Sequence, residues 1–489
     1  MSQVPFQKIH LTSSFFGEGP SVGDFNKDGK PDFAAGTFWW EGPAFTVRHK
    51  FTTGADSANV KTTYVANYLA LKSIDVNGDG WNDLLFTTGA GYSTLYWFEN
   101  PKNVGGANAV WTKTAFMNRV AHETATLADI FKDGKNELVS FLKINDAGNL
   151  RLGYSTPNPS DPKALWTFHP ISEDATPAIW TSEFGHGLGI ADINGDGRND
   201  IMVQNCWFEQ PASVANFPIW ERHIYDFSTR KSQGGSQMYT TDVDGDGDSD
   251  VVASLAGHGW GLDWFEQIKA TDGSISFTPH PIMFDRASEA AYGVAFSQLH
   301  SLGFADIDGD GHKDIIAGKR WWAHNDPNPA DPENSGTPVL YWFQWTKSPA
   351  GAIVFKPWLI DSTAGSGVNM ETVDMNGDGK IDIVVSSKAG TNVFLNQGTG
   401  GAGFPKSNLF SRRPIILDVQ PDAGQLIIGI QSMQSRRSDG SAWVVDSRGR
   451  EVVRVPVEIR IGMPSDLAVW NGRDASGKPA ENGAYFISY

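Results

Sequence analysis

The sequence predicts an all-β chain: a seven-bladed β-propeller closed by its own N-terminal strand, followed by a small C-terminal β-sandwich. Three observations carry this. The nonapeptide Asp192-Ile-Asn194-Gly-Asp196-Gly197-Arg-Asn-Asp200 recurs six more times, with first aspartates at 24, 75, 129, 242, 306 and 374. Four copies run directly into a β-branched apolar run, Ile201-Met-Val, Val251-Val-Ala, Ile315-Ile-Ala and Ile383-Val-Val, which is a strand signal. An aromatic triplet then follows in most copies, and an internal repeat of this kind outranks every other sequence signal.

Taken in order, each repeat reads as four strands. A small-residue strand (Gly187-Leu-Gly-Ile-Ala191) leads into the acidic loop, and the apolar run follows it. The third strand carries the signature Trp39-Trp-Glu41, Trp97-Phe-Glu99, Trp207-Phe-Glu209, Trp264-Phe-Glu266 or Trp342-Phe-Gln344. The fourth alternates, as in Phe45-Thr-Val-Arg-His49, Trp166-Thr-Phe-His169, Trp220-Glu-Arg-His-Ile224, Phe277-Thr-Pro-His280 and Phe355-Lys-Pro-Trp-Leu359. Radially repeated four-stranded units are propeller blades. Phe6-Gln-Lys-Ile-His10 has the fourth-strand pattern but precedes any first strand, whereas the last repeat, from about Asn369 to Asn396, lacks a fourth. The N-terminal strand is therefore expected to complete the last blade and leave no open edge. The expected divisions are a propeller over 1–397, a Gly/Ser/Pro-rich linker over 398–411 and a short-stranded module over 412–489.

The loop has the make-up of a cation site. Oxygen side chains at positions 1, 3 and 5, glycine at 6 and a closing acid suit a hard ion such as Ca²⁺, which takes roughly 6–8 oxygens. An EF-hand would close at position 12 between helices; here the acid stands at position 9 between strands. The candidate ligands are Asp24, Asn26, Asp28 and Asp32; Asp75, Asn77, Asp79 and Asp83; Asp129, Asp133 and Glu137; Asp192, Asn194, Asp196 and Asp200. The remaining loops offer Asp242, Asp244, Asp246 and Asp250; Asp306, Asp308, Asp310 and Asp314; Asp374, Asn376, Asp378 and Asp382. Phe131 stands where the third loop needs an oxygen, so that loop is expected to bind weakest or not at all.

The formal net charge of −17 is concentrated in these loops, and bound cations would cancel much of it. No basic stripe suggests nucleic acid. The single cysteine, Cys206, excludes an intrachain disulfide framework. No apolar run of about 18 residues offers a membrane span. Strand-like sequence begins directly after Met1-Ser2, so a mature protein, secreted or held at a cell surface, is expected, its signal peptide removed.

With these loops the chain resembles FG-GAP (VCBS-type) calcium-loop propellers such as those of integrin α-subunits. That resemblance implies several structural Ca²⁺ ions. The fold hosts many functions, so chemistry is sought on the face opposite the loops. Six residues before each motif aspartate lie equivalent first-strand entries: Glu18, Leu69, Glu123, His186, Ser236, His300 and Val368. His122 adjoins Glu123, while His258, Lys319, Arg320 and His324 fall in connections on the same face. Imidazoles with carboxylates suit Zn²⁺ or another divalent transition metal, or proton abstraction beside a carbonyl. Polar residues that merely solvate a channel mouth are the bland alternative.

The segments Phe184-Gly-His-Gly-Leu-Gly-Ile-Ala-Asp-Ile-Asn-Gly-Asp-Gly197 and Leu299-His-Ser-Leu-Gly-Phe-Ala-Asp306, with Gly318-Lys-Arg-Trp-Trp-Ala-His324, are similar to the propeller part of aldos-2-ulose dehydratases and their bacterial relatives. The cupin domains of those enzymes are absent from the sequence. The resemblance implies a carbon–oxygen lyase acting on a keto-sugar or glycoside. His186, His300, Glu123 and Glu18 would be metal-ligand candidates, and His258, His122, Glu123, Lys319 and Arg320 catalytic candidates. A non-catalytic lectin or adhesin using the same face is the alternative, and a purely structural scaffold the third. Val469-Trp-Asn-Gly-Arg-Asp-Ala-Ser-Gly477 with Asn482-Gly-Ala-Tyr485 resembles the immunoglobulin-like module of flagellar hook-capping proteins, which implies spacing or attachment to a cell surface.

Overall fold

The computed structural model describes residues 3–398, apart from 54–55, 58–68, 88–92, 103, 105, 107–108, 122, 124, 146–148, 174–185, 229–233, 325–330 and 349–350, together with six strands nearer the C-terminus. The chain forms two compact units, Met1–Thr399 and Gly400–Tyr489.

In the first unit, successive strands pair antiparallel in sets of four. Ser21–Gly23, Asp32–Ala35, Phe38–Trp40 and Arg48–Lys50 form one sheet in sequence order. The same order recurs from Leu188–Ala191 to Glu221–Ile224, from Tyr239–Thr241 to Ile275–Met283, and from Ser301–Ala305 to Ile353–Asp361. The last set takes its fourth strand from the N-terminus. Phe6–Thr12 pairs with Gly390–Asn396, which continues through Asp382–Ser387 to Met370–Val373. This is the strand order of a β-propeller.

One detail departs from separate four-stranded sheets. The sets Leu69–Ile74 to Thr112–Val120 and Thr126–Ala128 to Thr167–Pro170 share one sheet. Thr112–Val120 is nine residues long, so its last residue reaches over to pair with Leu142.

The second strand is buried along its length in most sets, as in Asp32–Ala35, Asp83–Thr87 and Asp314–Gly318. Both its faces pack, which explains why its sequence is continuously apolar and does not alternate. Core clusters bridge neighbouring sets. Phe25, Ala34, Trp39 and Phe51 pack against Leu84, Phe86, Phe98 and Trp111. Ile193, Met202 and Trp207 likewise meet Phe227, Met238, Val251 and Phe265.

The aromatic triplet has a specific task. Trp207 pairs across strands with His223 and stacks on it at 4.0 Å, and His223 Nε2 lies 3.0 Å from Glu209 two residues further along. Trp264, His280 and Glu266 repeat this at 4.4 and 2.7 Å, and Trp39, His49 and Glu41 at 4.2 and 2.6 Å. Where Trp358 replaces the histidine, its indole N–H donates to Gln344 at 3.0 Å. Cross-strand stacking plus a charged acceptor clasps the outermost strand to the third. These fourth-strand histidines are thereby committed to structure.

In the second unit six antiparallel strands pair in the order Ile416–Asp422, Gln425–Ile430, Asp466–Trp470, Glu451–Glu458, Ser441–Asp446, Tyr485–Ser488. Glu451–Glu458 pairs with Ser441–Asp446 along its first part and with Asp466–Trp470 through its last two residues, so it passes from one strand group to the other.

Candidate metal centre

The acidic loops connect first and second strands and are built from Asx turns. In the loop at 374, Asp374 Oδ1 accepts the N–H groups of Asn376, Gly377 and Asp378, and Oδ2 that of Gly379. Asn376 Oδ1 accepts from Asp378, and Asp378 Oδ1 from Lys380. Glycine at position 6 is required by a left-handed turn, with φ of 90° at Gly197 and 81° at Gly379.

The ninth acid has a role that spacing alone does not disclose. Asp382 is buried, and its two oxygens accept the backbone N–H groups of Met375, at 2.8 Å, and Asn396, at 2.7 Å. Asp32, Asp83, Asp200, Asp250 and Asp314 repeat the arrangement. Burial, reinforced by neighbouring loop carboxylates, pushes Asp314 up to about 8 and Asp250 up to about 7. A cation would relieve that cost.

The donor set fits a hard cation unequally around the ring. In the loops at 242 and 306, three carboxylates converge, with Asp242, Asp244 and Asp246, and Asp306, Asp308 and Asp314, each offering oxygens mutually within 4.8 Å. Elsewhere the fifth-position acid meets a side-chain cation: Lys30 on Asp28 at 3.4 Å, Lys102 on Asp79 at 2.9 Å, Lys135 on Asp133 at 3.2 Å, Lys380 on Asp378 at 2.8 Å and Arg198 on Asp196. In the third loop Phe131 turns to the core and meets the Tyr154 ring at 5.0 Å.

On the other side of the repeat, first-strand entries bring distant residues together. His186 and His300 precede Leu188–Ala191 and Ser301–Ala305, Glu123 precedes Thr126–Ala128, and His258 lies between Asp250–Ser254 and Leu262–Lys269. The rings of His186 and His300 lie 4.4 Å apart, and that of His258 lies 5.0 Å from each. One nitrogen from each of the three falls within 4.8 Å of the others. Their Nδ1 atoms are buried without hydrogen-bond partners. Gly257 makes room for this: a Cβ there would stand 3.0 Å from His186 Nδ1 and 3.2 Å from His300 Cδ2.

Glu123 sits behind the imidazoles. Its Oε2 is 3.2 Å from His186 Nε2 and 3.1 Å from His300 Nε2, the latter off the line of a well-formed hydrogen bond. Burial would raise the Glu123 carboxyl, but its contacts with His186 and His300 outweigh this and hold it well below the carboxylate range. Burial, with the Arg320 charge second, lowers His300 to about 3. Burial and the charges around it likewise depress His258. A carboxylate held behind imidazoles is the arrangement of a metal site with an outer-shell acid.

Several placements differ from the sequence expectation. Glu18 points both oxygens at Arg320, at 2.8 and 2.7 Å, and is fully buried, so it is an ion-pair partner where a ligand was expected. Arg320 Nη1 also lies 3.8 Å from Glu123, so this buried guanidinium links the two acids. Lys319 donates to Ser297 Oγ at 2.8 Å, which commits it to that hydroxyl. Ser236 pairs with Ser254, and Val368 is buried. Glu123, His186, His300 and Arg320 are buried, not ranged around an open mouth, because the strand entries pack against one another. His122 and the side chain of Leu69 lie outside the described residues. Asp331, which reaches His324 Nδ1, gave no signal beyond its place in a Pro-rich connection.

The all-oxygen loops match Ca²⁺ in chemistry, and three clustered imidazoles match a borderline-soft divalent ion. A profile described as FG-GAP-like repeat matches residues 75–140, and one described as FG-GAP repeat matches residues 16–37. No curated protein matches the chain. Among solved structures, a Bacillus licheniformis rhamnogalacturonan lyase aligns at 12% identity and TM-score 0.39, over 80% of this chain and 76% of that one. The extracellular domains 1–2 of Drosophila semaphorin 1a align at 8% identity and TM-score 0.37, over 100% and 98%. The chain thus carries FG-GAP repeats on a β-propeller fold.

Proposed function

We propose that this chain is a secreted, calcium-braced propeller of seven closed blades that acts on carbohydrate, as a lyase eliminating across the C–C bond beside a keto group. The observation that carries the reading is the meeting of His186, His258 and His300, drawn from separate repeats, with three buried Nδ1 atoms that no protein group satisfies. Buried polar atoms left unpaired are costly, and an ion accepting their lone pairs removes the cost. Glu123 would orient His186 and His300 from behind, in the manner of an outer-shell carboxylate.

A divalent transition ion held there would polarise a keto oxygen as a Lewis acid. The protein's own residues supply the rest. Arg320 and Glu18 fix Glu123 electrostatically, and Trp260 and Trp321, both half-buried, lie close in sequence to His258 and His324, where a pyranose face could stack. The likeness of the segments around His186, His300 and Lys319–His324 to aldos-2-ulose dehydratases supports a keto-sugar substrate. In this reading the second unit is an immunoglobulin-like attachment module.

Elemental analysis after mild chelation tests the centre: a tightly held transition ion is expected in the wild type and lost from the His186→Ala/His300→Ala double variant. Incubation with 2-keto and 3-keto sugars should produce ultraviolet absorbance of an enone in the first protein and not in the second. Glycan binding without turnover, unchanged in the double variant, would sink the lyase and leave a lectin.

A further inference from the structure

One repeat carries a second acid that its counterparts lack. In the sheet running from Leu188–Ala191 to Glu221–Ile224, Glu209 on the third strand stands directly opposite Glu221 on the fourth. Elsewhere the same place is taken by Thr112 opposite Glu99, Thr278 opposite Glu266 and Lys356 opposite Gln344, and Glu41 donates its backbone N–H to Val47. Like charges directly opposite each other destabilise a sheet. Among the described residues, Glu209 has His223 as its ion-pair partner and Glu221 has none. A sequence that keeps this repulsion needs something to offset it.

The three side chains converge. Residues two apart on a strand share a face, so Glu221 and His223 project to the same side as Glu209. His223 Nε2 lies 3.0 Å from Glu209, and one ligand atom from each of the three falls within 4.8 Å of the others. Two ligands held by one tetrahedral ion at about 2.0–2.2 Å stand roughly 3.3 Å apart. The His223–Glu209 spacing already suits this, and the exposed Glu221 closes the remaining distance by a rotamer change.

The imidazole is set in advance. Trp207 stacks on it at 4.0 Å with planes 12° from parallel, which fixes the ring plane in which its lone pair lies. The His223 and Glu209 side chains keep 34% and 30% of their surface exposed, so an ion can enter from solvent. The clasps at His49 and His280 repeat the stacking and the Glu contact but offer one nitrogen and one carboxylate each, too few donors to hold an ion. One nitrogen with two carboxylates suits a borderline ion better than Ca²⁺, which takes roughly 6–8 oxygens.

We propose that Glu209, Glu221 and His223 bind a divalent transition ion of the Zn²⁺ class on the outer edge of this repeat, where it fastens the fourth strand to the third. The ion's two charges cancel those of the two carboxylates, and water completes its coordination. The site shares no residue with the centre at His186, His258 and His300 and does not depend on it.

The test uses the full chain saturated with Ca²⁺, so that the acidic loops are filled, then equilibrated with Zn²⁺ and assayed by atomic emission. Glu221→Thr, which installs the residue found opposite Glu266, should hold one Zn²⁺ fewer than the wild type, as should His223→Gln. Counting by difference makes the result independent of whether the three-histidine centre fills. In chelator, Glu221→Thr should melt no lower than the wild type, because the repulsion is gone, whereas Zn²⁺ should raise the melting temperature of the wild type above that of the variant. Equal Zn²⁺ counts in Glu221→Thr and wild type overturn the site. A count that falls in Glu221→Thr but not in His223→Gln overturns the imidazole's place in it.

Discussion

At the residue scale, the ion pair between Glu18 and Arg320 ties the N-terminal segment to the acid behind the imidazoles. Both side chains are wholly buried, and the guanidinium joins a carboxylate near the N-terminus to Glu123. Removing one partner of such a pair strands a charge away from water. Glu18→Ala should therefore cost about 3–5 kcal/mol in stability. Chemical denaturation measures it, and a loss below about 1 kcal/mol, typical of exposed pairs, would contradict the burial. Glu18 was legible in the sequence as an acid at a ring position, but not as the partner of Arg320. The two stand 302 residues apart, and no local pattern encodes such a meeting.

At the element scale, the loop is two devices in one nonapeptide. The ninth acid ties its own hairpin to the end of the third strand through backbone N–H groups. The first, third and fifth residues are the candidate cation cradle. The cradles differ in charge. Asp244 and Asp308 take the third position where Asn26, Asn77, Asn194 and Asn376 stand elsewhere, and these two loops lack a Lys or Arg at position 7. Because affinity follows ligand charge count, the loops at 242 and 306 should hold Ca²⁺ most tightly. Calorimetric titration of chelator-stripped protein should show a tight class that Asp244→Asn and Asp308→Asn together convert to weak binding. Equal binding by all loops would refute the ranking. Stripping Ca²⁺ should also lower the melting temperature, because each site held at a hundredfold excess over Kd loses about 2.7 kcal/mol of stabilising linkage.

At the scale of the whole molecule, the N-terminal strand closes the last set of four. Phe6–Thr12 contributes Phe6, Ile9 and Leu11 to the core clusters flanking that set, and Lys8 pairs with Asp361 of the preceding one at 3.0 Å. Deleting residues 1–12 should expose the edge of Gly390–Asn396, lower the melting temperature and promote association, as read by scanning calorimetry and light scattering. An unchanged, monodisperse protein would show that the strand is dispensable for closure.

Strand order, the turns of the acidic loops and N-terminal closure were all present in the chain itself. They depend on interactions between residues a few positions apart, such as Asx turns, hairpins and cross-strand pairs, so spacing encodes them directly. The grouping of His186, His258 and His300, the retreat of Glu123 and Glu18 to supporting positions, and the recruitment of Asp331 emerged only from the folded propeller. The imidazole and ion-pair contacts span tens to hundreds of residues, and Asp331 reaches His324 across seven. The packing of repeat against repeat decides them, and also which side chains burial strips of water and holds neutral.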